Sequence, residues 1–475
     1  MTGHSSSAAS AREEDIFERS RRLGSLAHAL IPGGSHTYAK GDDQYPELSP
    51  GFIERGLGSH VWDVDGNEYI EFGIGNRAVG LGHAYPPVLE AAHKAMQHGC
   101  NFTRPHRIEV ECAETFLEMI SGAEMVKFCK DGSDATSGAV RLARAYTGRD
   151  MIACCGDHPF FSTDDWFIGT TTMNAGIPPT VRALTATFHY GDLASADELF
   201  QRFPGRIAGL IMEAARLSEP PPGYLAALKN LCHRNGALLI IDEMITGFRW
   251  HRGGAQELYG VVPDMSCFGK ALGNGFSVSA LCGRREIMQL GGLDVPERQR
   301  VFLLSTTHGA ETHALAAAIA TMRTYRDEPV IEQLHGSGHA LRQGIEAAAR
   351  RHGVDAHFKL RGRDCCLIYE ALDADGKPNQ AFRSLFLQEM IRRGVLLPSM
   401  VVSYTHDDND IAHTVAAADG AFAVYARALD GGVSRFLVGR PSRTVFPSAK
   451  QRVVRAGGPS GIGVRAHAAL RNQKA

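Results

Sequence analysis

Gly236-Ala-Leu-Leu-Ile-Ile-Asp-Glu243 carries a run of small and apolar residues closed by two carboxylates. A continuous run of this kind reads as a strand buried on both faces, as in a parallel sheet covered by helices. Just upstream, Tyr224–Arg234 has apolar positions suited to a crossover helix, and Arg206–Glu213 reads as a second strand. Further out, Glu124–Cys129 is a short apolar strand followed by a glycine turn and a helix through about Tyr146. Strands alternating with helices from about 85 to 300 predict α/β architecture.

The flanks differ. Residues 1–14 are polar and read as a frayed leader. Residues 15–30 place Ile16, Leu23, Leu26 and Leu30 at helical spacing, and Ile31-Pro-Gly-Gly34 ends that helix. Two alternating apolar runs flank Asp65-Gly66, a hairpin signal. The same Asp63-x-Asp65-Gly66 resembles the start of a calcium loop, but Ile74 stands where the closing glutamate belongs. From about 325 the pattern suggests a compact α+β lobe, with strands at Cys365–Glu370 and Gly394–Leu397. Ile411, Val415, Ala418, Phe422 and Tyr425 mark one amphipathic helix. The expected units are a segment with the hairpin over 15–80, a large domain over 81–325, a small domain over 326–429 and a basic extension over 430–475. That extension reads as a solvated tail or as an arm that crosses an interface or meets an anion.

The chain has 475 residues, 50 Lys+Arg against 52 Asp+Glu, and 44% hydrophobic residues. It can bury a large core, and a near-neutral balance argues against a dedicated nucleic-acid binder. No apolar stretch approaches the roughly 20 residues of a membrane span, and no secretory h-region opens the chain. The ten cysteines lack C-x-x-C spacing, so reduced thiols in a cytosolic protein are expected, with no metal site. G-x-G-x-x-G and G-x-S-x-G are both missing, which argues against a nicotinamide oxidoreductase and a serine hydrolase.

Three features carry chemistry. Phe128-Cys-Lys-Asp-Gly-Ser-Asp-Ala135 is a strand, a tight turn and a helix start. Free amides there form an anion site, with Gly132 allowing close approach and Ser133 offering a hydroxyl; Ser133 and Asp134 equally suit a helix cap. Asp242 ends the buried strand, facing the crevice where α/β sheets bind ligands, and could balance a protonated ring nitrogen or cap the next turn. Met265-Ser-Cys-Phe-Gly-Lys270-Ala-Leu-Gly-Asn-Gly-Phe276 sets one lysine in an apolar, glycine-rich run. A desolvated lysine becomes a nucleophile able to form a Schiff base. Phosphate cradle, ring-nitrogen carboxylate and Schiff-base lysine are together what pyridoxal 5'-phosphate (PLP) needs.

The sequence resembles the class III aminotransferases of fold-type I, and within them the glutamate-1-semialdehyde aminomutases and their sugar-acting relatives. The resemblance runs from about Leu30 to Leu429. It rests on Ile31-Pro-Gly-Gly34, Val61-Trp-Asp-Val-Asp-Gly-Asn67, Leu81-Gly-His83, Glu124-Met-Val-Lys-Phe128, Arg141-Leu-Ala-Arg144, Tyr146-Thr-Gly-Arg149, Asp242-Glu-Met-Ile-Thr-Gly-Phe-Arg249, Gly253-Gly-Ala-Gln256 and Phe268-Gly-Lys270. It implies a large domain with a mostly parallel sheet. It also implies a smaller α+β domain built from the C-terminal part and the N-terminal segment. Lys270 and Asp242 are the implied catalytic residues. Gly132 and Ser133 would hold the phosphate, and Glu213 would lie near the cofactor. Thr306 would reach the phosphate of a partner subunit, which implies a homodimer.

The departures from the family pattern bear on substrate. His158, in Gly156-Asp-His-Pro-Phe-Phe161, stands where the family stacks a tyrosine on the ring; Phe160 is the other candidate. The family's Glu-Pro is Glu213-Ala214 and the following loop is shortened, leaving Ser218 to meet the cofactor's phenolic oxygen. Thr37 and Lys40 occupy the places of a serine and an arginine that hold the aminomutase substrate's carboxylate, and lysine lacks arginine's fork. Tyr38, Asp42, Asp43 and Gln44 add polar groups, and Asn76-Arg77 replaces a bulky aromatic. This cluster suits a polyhydroxylated or cationic ligand or is plain surface polarity. The resulting expectation is an aminotransferase acting on an amino donor and a small carbonyl acceptor, such as an oxo-sugar or aminoglycoside-type intermediate. Aminomutase, epimerase and eliminating activities use the same groups and stay open.

Overall fold

The computed structural model describes residues 16–297 and 299–445. The expected leader over 1–14 and the basic run beyond 445 lie outside them. The strands of the N-terminal segment are Ile53–Leu57 (β1), His60–Asp63 (β2) and Glu68–Glu71 (β3). Met125–Cys129 (β4), Met151–Cys155 (β5), Thr185–Phe188 (β6), Ile207–Met212 (β7), Leu238–Asp242 (β8), Met265–Phe268 (β9) and Ser279–Gly283 (β10) build the large sheet. Phe358–Arg361 (β11), Cys366–Ala371 (β12), Val395–Leu396 (β13) and Met400–Val401 (β14) follow.

The large sheet runs β4-β10-β9-β8-β7-β5-β6. β9, β8, β7, β5 and β6 are mutually parallel, and β10 is antiparallel to both neighbours. Every residue of β7 and β8 is buried, which is why their sequences are continuous apolar runs rather than alternating ones. Each fully buried Leu or Ile there contributes roughly 1.5–3 kcal/mol. The helix Gly132–Thr147 turns Ala135, Ala139, Val140, Leu142 and Ala143 inward, and Tyr224–Arg234 forms as the crossover between β7 and β8.

The smaller lobe holds the antiparallel sheet β11-β12-β14 and the helices Gln380–Ile391 and Asp408–Gly431. Phe358 packs 4.6 Å from Phe386 and 4.9 Å from Phe422, ring centre to ring centre. β13 leaves this lobe and pairs in parallel with β3. The C-terminal part is thereby joined to the N-terminal segment, as the family resemblance implies.

Asp65 explains how that segment is tied down. Its carboxylate accepts from the amides of Arg19 (2.7 Å) and Ser20 (3.0 Å) at the start of the helix Glu18–Leu30. Asp63 accepts from the amides of Asp65 and Asn67 and from the Tyr69 hydroxyl, so the hairpin consumes the oxygens a calcium loop would use. The leucines of this first helix do not face the core: Leu26 is 54% and Leu30 72% exposed, while Ala27 is buried.

Beyond Gly431 the described part of the basic extension folds back on its own chain. The Val438 amide donates to Gln388 Oε1 (2.8 Å), the Ser442 amide to Ser384 Oγ (2.8 Å) and the Arg443 amide to the Asp43 carbonyl (2.6 Å). As far as Val445 its backbone is thereby held against the helix Gln380–Ile391 and the N-terminal segment. No described helix is long and apolar enough to cross a membrane.

Candidate active site

The parallel strands end at one edge of the large sheet, and the candidate residues gather there. Asp242 closes β8, Glu213 follows β7, and Lys270 lies two residues past β9. His158 comes three residues after β5, and Gly132 three after β4. This is the edge at which α/β sheets bind ligands.

Lys270 opens a short turn, Lys270–Gly273, with a left-handed φ of 49°. Few non-glycine residues adopt such angles, and those that do cluster at functional sites. Burial pushes the Lys270 ammonium below the usual lysine range; the charges of Arg249 and Arg77 push the same way, against Asp242 and Glu213. Burial pushes Asp242 up to about 7, opposed by Lys270 and reinforced by Glu213. Its Oδ1 accepts from the Met244 amide at 2.9 Å, which fixes the carboxylate at the strand end. Burial thus disfavours the charged form of both groups, making the amine easier to deprotonate and the acid harder.

The turn before the helix Gly132–Thr147 is capped by Asp131, whose side chain accepts from the Asp134 amide at 3.0 Å. Neither Ser133 nor Asp134 is the cap that the sequence allows. Ser133 Oγ instead accepts from the Thr163 amide (3.0 Å), and Thr136 donates to the Phe161 carbonyl (2.8 Å). These bonds stitch the His158–Thr163 loop to the Gly132 turn. A Cβ at Gly132 would lie 2.9 Å from Met244 Sδ, so the missing side chain keeps the turn open beside β8.

His158 is 6% exposed. Its Nδ1 accepts from the Glu213 amide (3.1 Å), which puts the proton of the neutral ring on Nε2. Burial lowers its pKa, so the neutral ring persists at pH 7. Glu213 is buried as well; Oε1 accepts from Arg216 Nη1 at 3.0 Å, while Oε2 has no partner among the described residues. Phe160 is exposed and packs edge-on to Phe167. Ser218 is exposed and only its carbonyl is engaged, 3.5 Å from the Tyr190 hydroxyl.

The cluster of polar candidates divides. Thr37 and Lys40 are exposed, with no side-chain hydrogen bond among the described residues. Asp42 pairs with His28 at 3.0 Å, and Asp43 accepts from Gln44. Asn76 and Arg77 are half-buried, in a segment that packs on the Lys270 turn. Thr306 is exposed on the loop after Leu304, which itself has φ 50°. That loop is tethered to the Gly132 turn by Lys130 Nζ–Glu311 Oε2 at 2.5 Å.

Four positions escape the sequence reading of the site. Arg249 is fully buried and donates to the carbonyls of Ile245 and Arg77, both at 2.5 Å. Asn274 accepts from the Leu81 amide and donates to the Gly82 carbonyl. Lys130 and Glu311 form the tether. Arg249 is the one with a signal, a lone arginine at the end of an apolar run; the others look like ordinary loop residues.

This fold is shared with structurally characterised transaminases. An omega-transaminase from Sphaerobacter thermophilus superposes with a TM-score of 0.76 at 24% identity, over 86% of this chain and 98% of its own. The FumI protein of Sphingopyxis sp. MTA144, solved with PLP, superposes with a TM-score of 0.80 at 30% identity, over 87% of this chain and 98% of its own. A glutamate-1-semialdehyde 2,1-aminomutase from Desulforamulus reducens is 34% identical over 442 residues, 88% of this chain and 98% of the relative. The class-III aminotransferase family model matches residues 41–401, and the chain belongs to that family.

Proposed function

We propose that this chain is a PLP-dependent enzyme that moves an amino group from a donor to an aldehyde or ketone of a small metabolite, with Lys270 as the reacting amine. The observation that carries this reading is the placement of a desolvated lysine at a sheet edge beside Asp242. Fit to the cofactor rests on the open Gly132 turn and on the unpartnered buried Glu213 Oε2. Bound PLP supplies an aldehyde for the lysine and a cationic ring that draws electrons from the substrate carbon.

The protein residues then have separate roles. Lys270 would hold the cofactor's aldehyde and, as a free amine, would move a proton to or from the substrate carbon. Its lowered proton affinity favours the free amine, the form able to accept a proton. Asp242 would hold the ring N–H as a carboxylate, and the ring's positive charge would oppose the burial that raises its proton affinity. Gly132 and Ser133 present helix-start amides to the phosphate. His158, held by the Glu213 amide, supports the ring from one side. Thr306 would complete the phosphate site of a second copy, so the working unit is a homodimer. Its exposure here and that of Phe302, 72%, support this. The ten unpaired cysteines support a reducing, cytosolic setting.

The polar residues Asn76 and Thr37–Gln44 favour an oxo-sugar or related acceptor. A second reading, aminomutase, is favoured by the name of the 34% identical relative; epimerase and elimination chemistry would use the same residues. An absorption spectrum of the protein with PLP, titrated with amino donors and no carbonyl acceptor, decides among them. Conversion of the cofactor to its aminated form identifies an aminotransferase half-reaction. Exchange without conversion favours the aminomutase, epimerase or elimination branch, and no chromophore at all overturns the reading. Lys270→Ala is expected to lower turnover at least about 10³-fold.

A further inference from the structure

Ile74, Gly75, Asn76 and Arg77 take φ of 45°, 54°, 55° and 70° in succession. Four consecutive left-handed residues, one of them β-branched, persist only where surrounding contacts over-determine the backbone. Those contacts are visible. Ile74 is fully buried. The Arg77 carbonyl accepts from Arg249 Nη2 at 2.5 Å. Downstream, a Cβ at Gly80 would stand 3.3 Å from Ala271 Cβ and would collide with the Tyr325 hydroxyl. The Leu81 amide donates to Asn274 Oδ1 at 2.9 Å. Residues 74–82 therefore lie directly on the turn that carries Lys270.

On this seat Arg77 is half-buried, and its guanidinium makes no hydrogen bond or ion pair among the described residues. Its charge is nevertheless felt at Lys270. Arg249, the other cation there, already donates through both terminal nitrogens to backbone carbonyls. Lys40, at the position where the family resemblance places a carboxylate-binding arginine, is exposed. An unused planar fork beside the reacting amine matches the geometry of a carboxylate or phosphate.

We propose that Arg77 is the substrate's anion anchor, binding the carboxylate or phosphate of a molecule whose amine or carbonyl faces Lys270. This rests on the reading of Lys270 as the reacting amine. It narrows the substrate class to anionic amines and carbonyl compounds, and it relocates anion recognition from the Thr37–Lys40 turn to the left-handed turn.

The test compares holoenzyme of the wild type, R77G and R77K. Glycine suits φ 70°, so R77G removes the guanidinium without straining the turn. Succinate and inorganic phosphate serve as unreactive anions, and L-glutamate and 1-phenylethylamine as anionic and neutral amines; PLP affinity is titrated separately. In R77G the dissociation constant of the preferred anion and the KM for glutamate are expected to rise about 10- to 100-fold. The ratio of glutamate to phenylethylamine reactivity falls by the same factor. R77K, a point charge without the fork, shows a smaller rise and carries the test if R77G does not fold. Succinate or phosphate, whichever loses more affinity, identifies the anion bound. Wild type binding neither anion, unchanged anion constants in R77G, or a loss of PLP affinity in their place would each overturn the proposal. If no amine reacts with wild type, the Lys270 reading falls, and the anion titrations still decide the role of Arg77.

Discussion

Asp242 sits at the end of a strand whose every residue is buried, and the folded chain without cofactor therefore holds a proton on it up to about pH 7. An unfolded chain releases that proton near 3.8, the ordinary value for the residue. Between these limits the folded state binds the extra proton, so stability falls as pH rises through the window, by at most about 1.4 kcal/mol per pH unit. Asp242→Asn removes this contribution. Thermal melts of the cofactor-free variant between pH 4 and 7 are expected to show a shallower decline than wild type; equal slopes would mean that Asp242 is already ionised. If Asp242 holds the ring nitrogen as proposed, the same change in holoenzyme leaves that nitrogen without a counter-charge, and turnover is expected to drop about 10²- to 10³-fold. Asp242 and Lys270 are legible in sequence because ionisable residues inside apolar runs demand a reason. The left-handed backbone at Ile74–Arg77 is not, since neither Ile nor Arg announces a positive φ.

Two glycines in the helix Val330–Arg351 show how far an element's packing departs from its propensity. A helical glycine normally costs about 1 kcal/mol relative to alanine. Gly336 has nothing within 4 Å of where a Cβ would stand, so Gly336→Ala is expected to stabilise the chain by about 0.5–1 kcal/mol. At Gly338 the added methyl would run into the backbone carbonyl of Asp364. Backbone cannot rotate aside, so Gly338→Ala is expected to destabilise by about 1–3 kcal/mol despite better propensity. Denaturant melts of the two variants should move in opposite directions; a stabilised G338A would contradict this packing. The large elements were readable for a related reason. β7, β8 and the crossover helix are long and uniformly apolar or cleanly periodic. β9 is four residues long and includes a serine and a cysteine, and antiparallel β10 has no marker of its direction. Strand order and that reversal are properties of the whole sheet, absent from any local stretch.

At the scale of the molecule, the proposed homodimer would cover apolar residues that a single chain leaves exposed. Leu26, Leu30, Leu293 and Phe302 are 54%, 72%, 81% and 72% exposed, although the first two belong to a helix whose spacing looks like a core-facing one. Exposed apolar residues become informative when they gather around a functional loop, and Phe302 lies four residues from Thr306. If Thr306 serves the partner's phosphate site, defects at Lys270 and Thr306 belong to different active sites of a dimer. A heterodimer of Lys270→Ala and Thr306→Ala subunits then has one site with both defects and one with neither. Random mixing in equal amounts makes half the dimers mixed, so about a quarter of all sites are restored. Activity measured at limiting PLP after co-expression or subunit exchange is expected to approach that fraction, above the sum of the two variants alone. If Thr306 instead serves its own chain, every site of the heterodimer keeps one defect and no restoration occurs. That second outcome would separate the exposed loop from the cofactor of any partner, and the uncovered leucines would need another explanation.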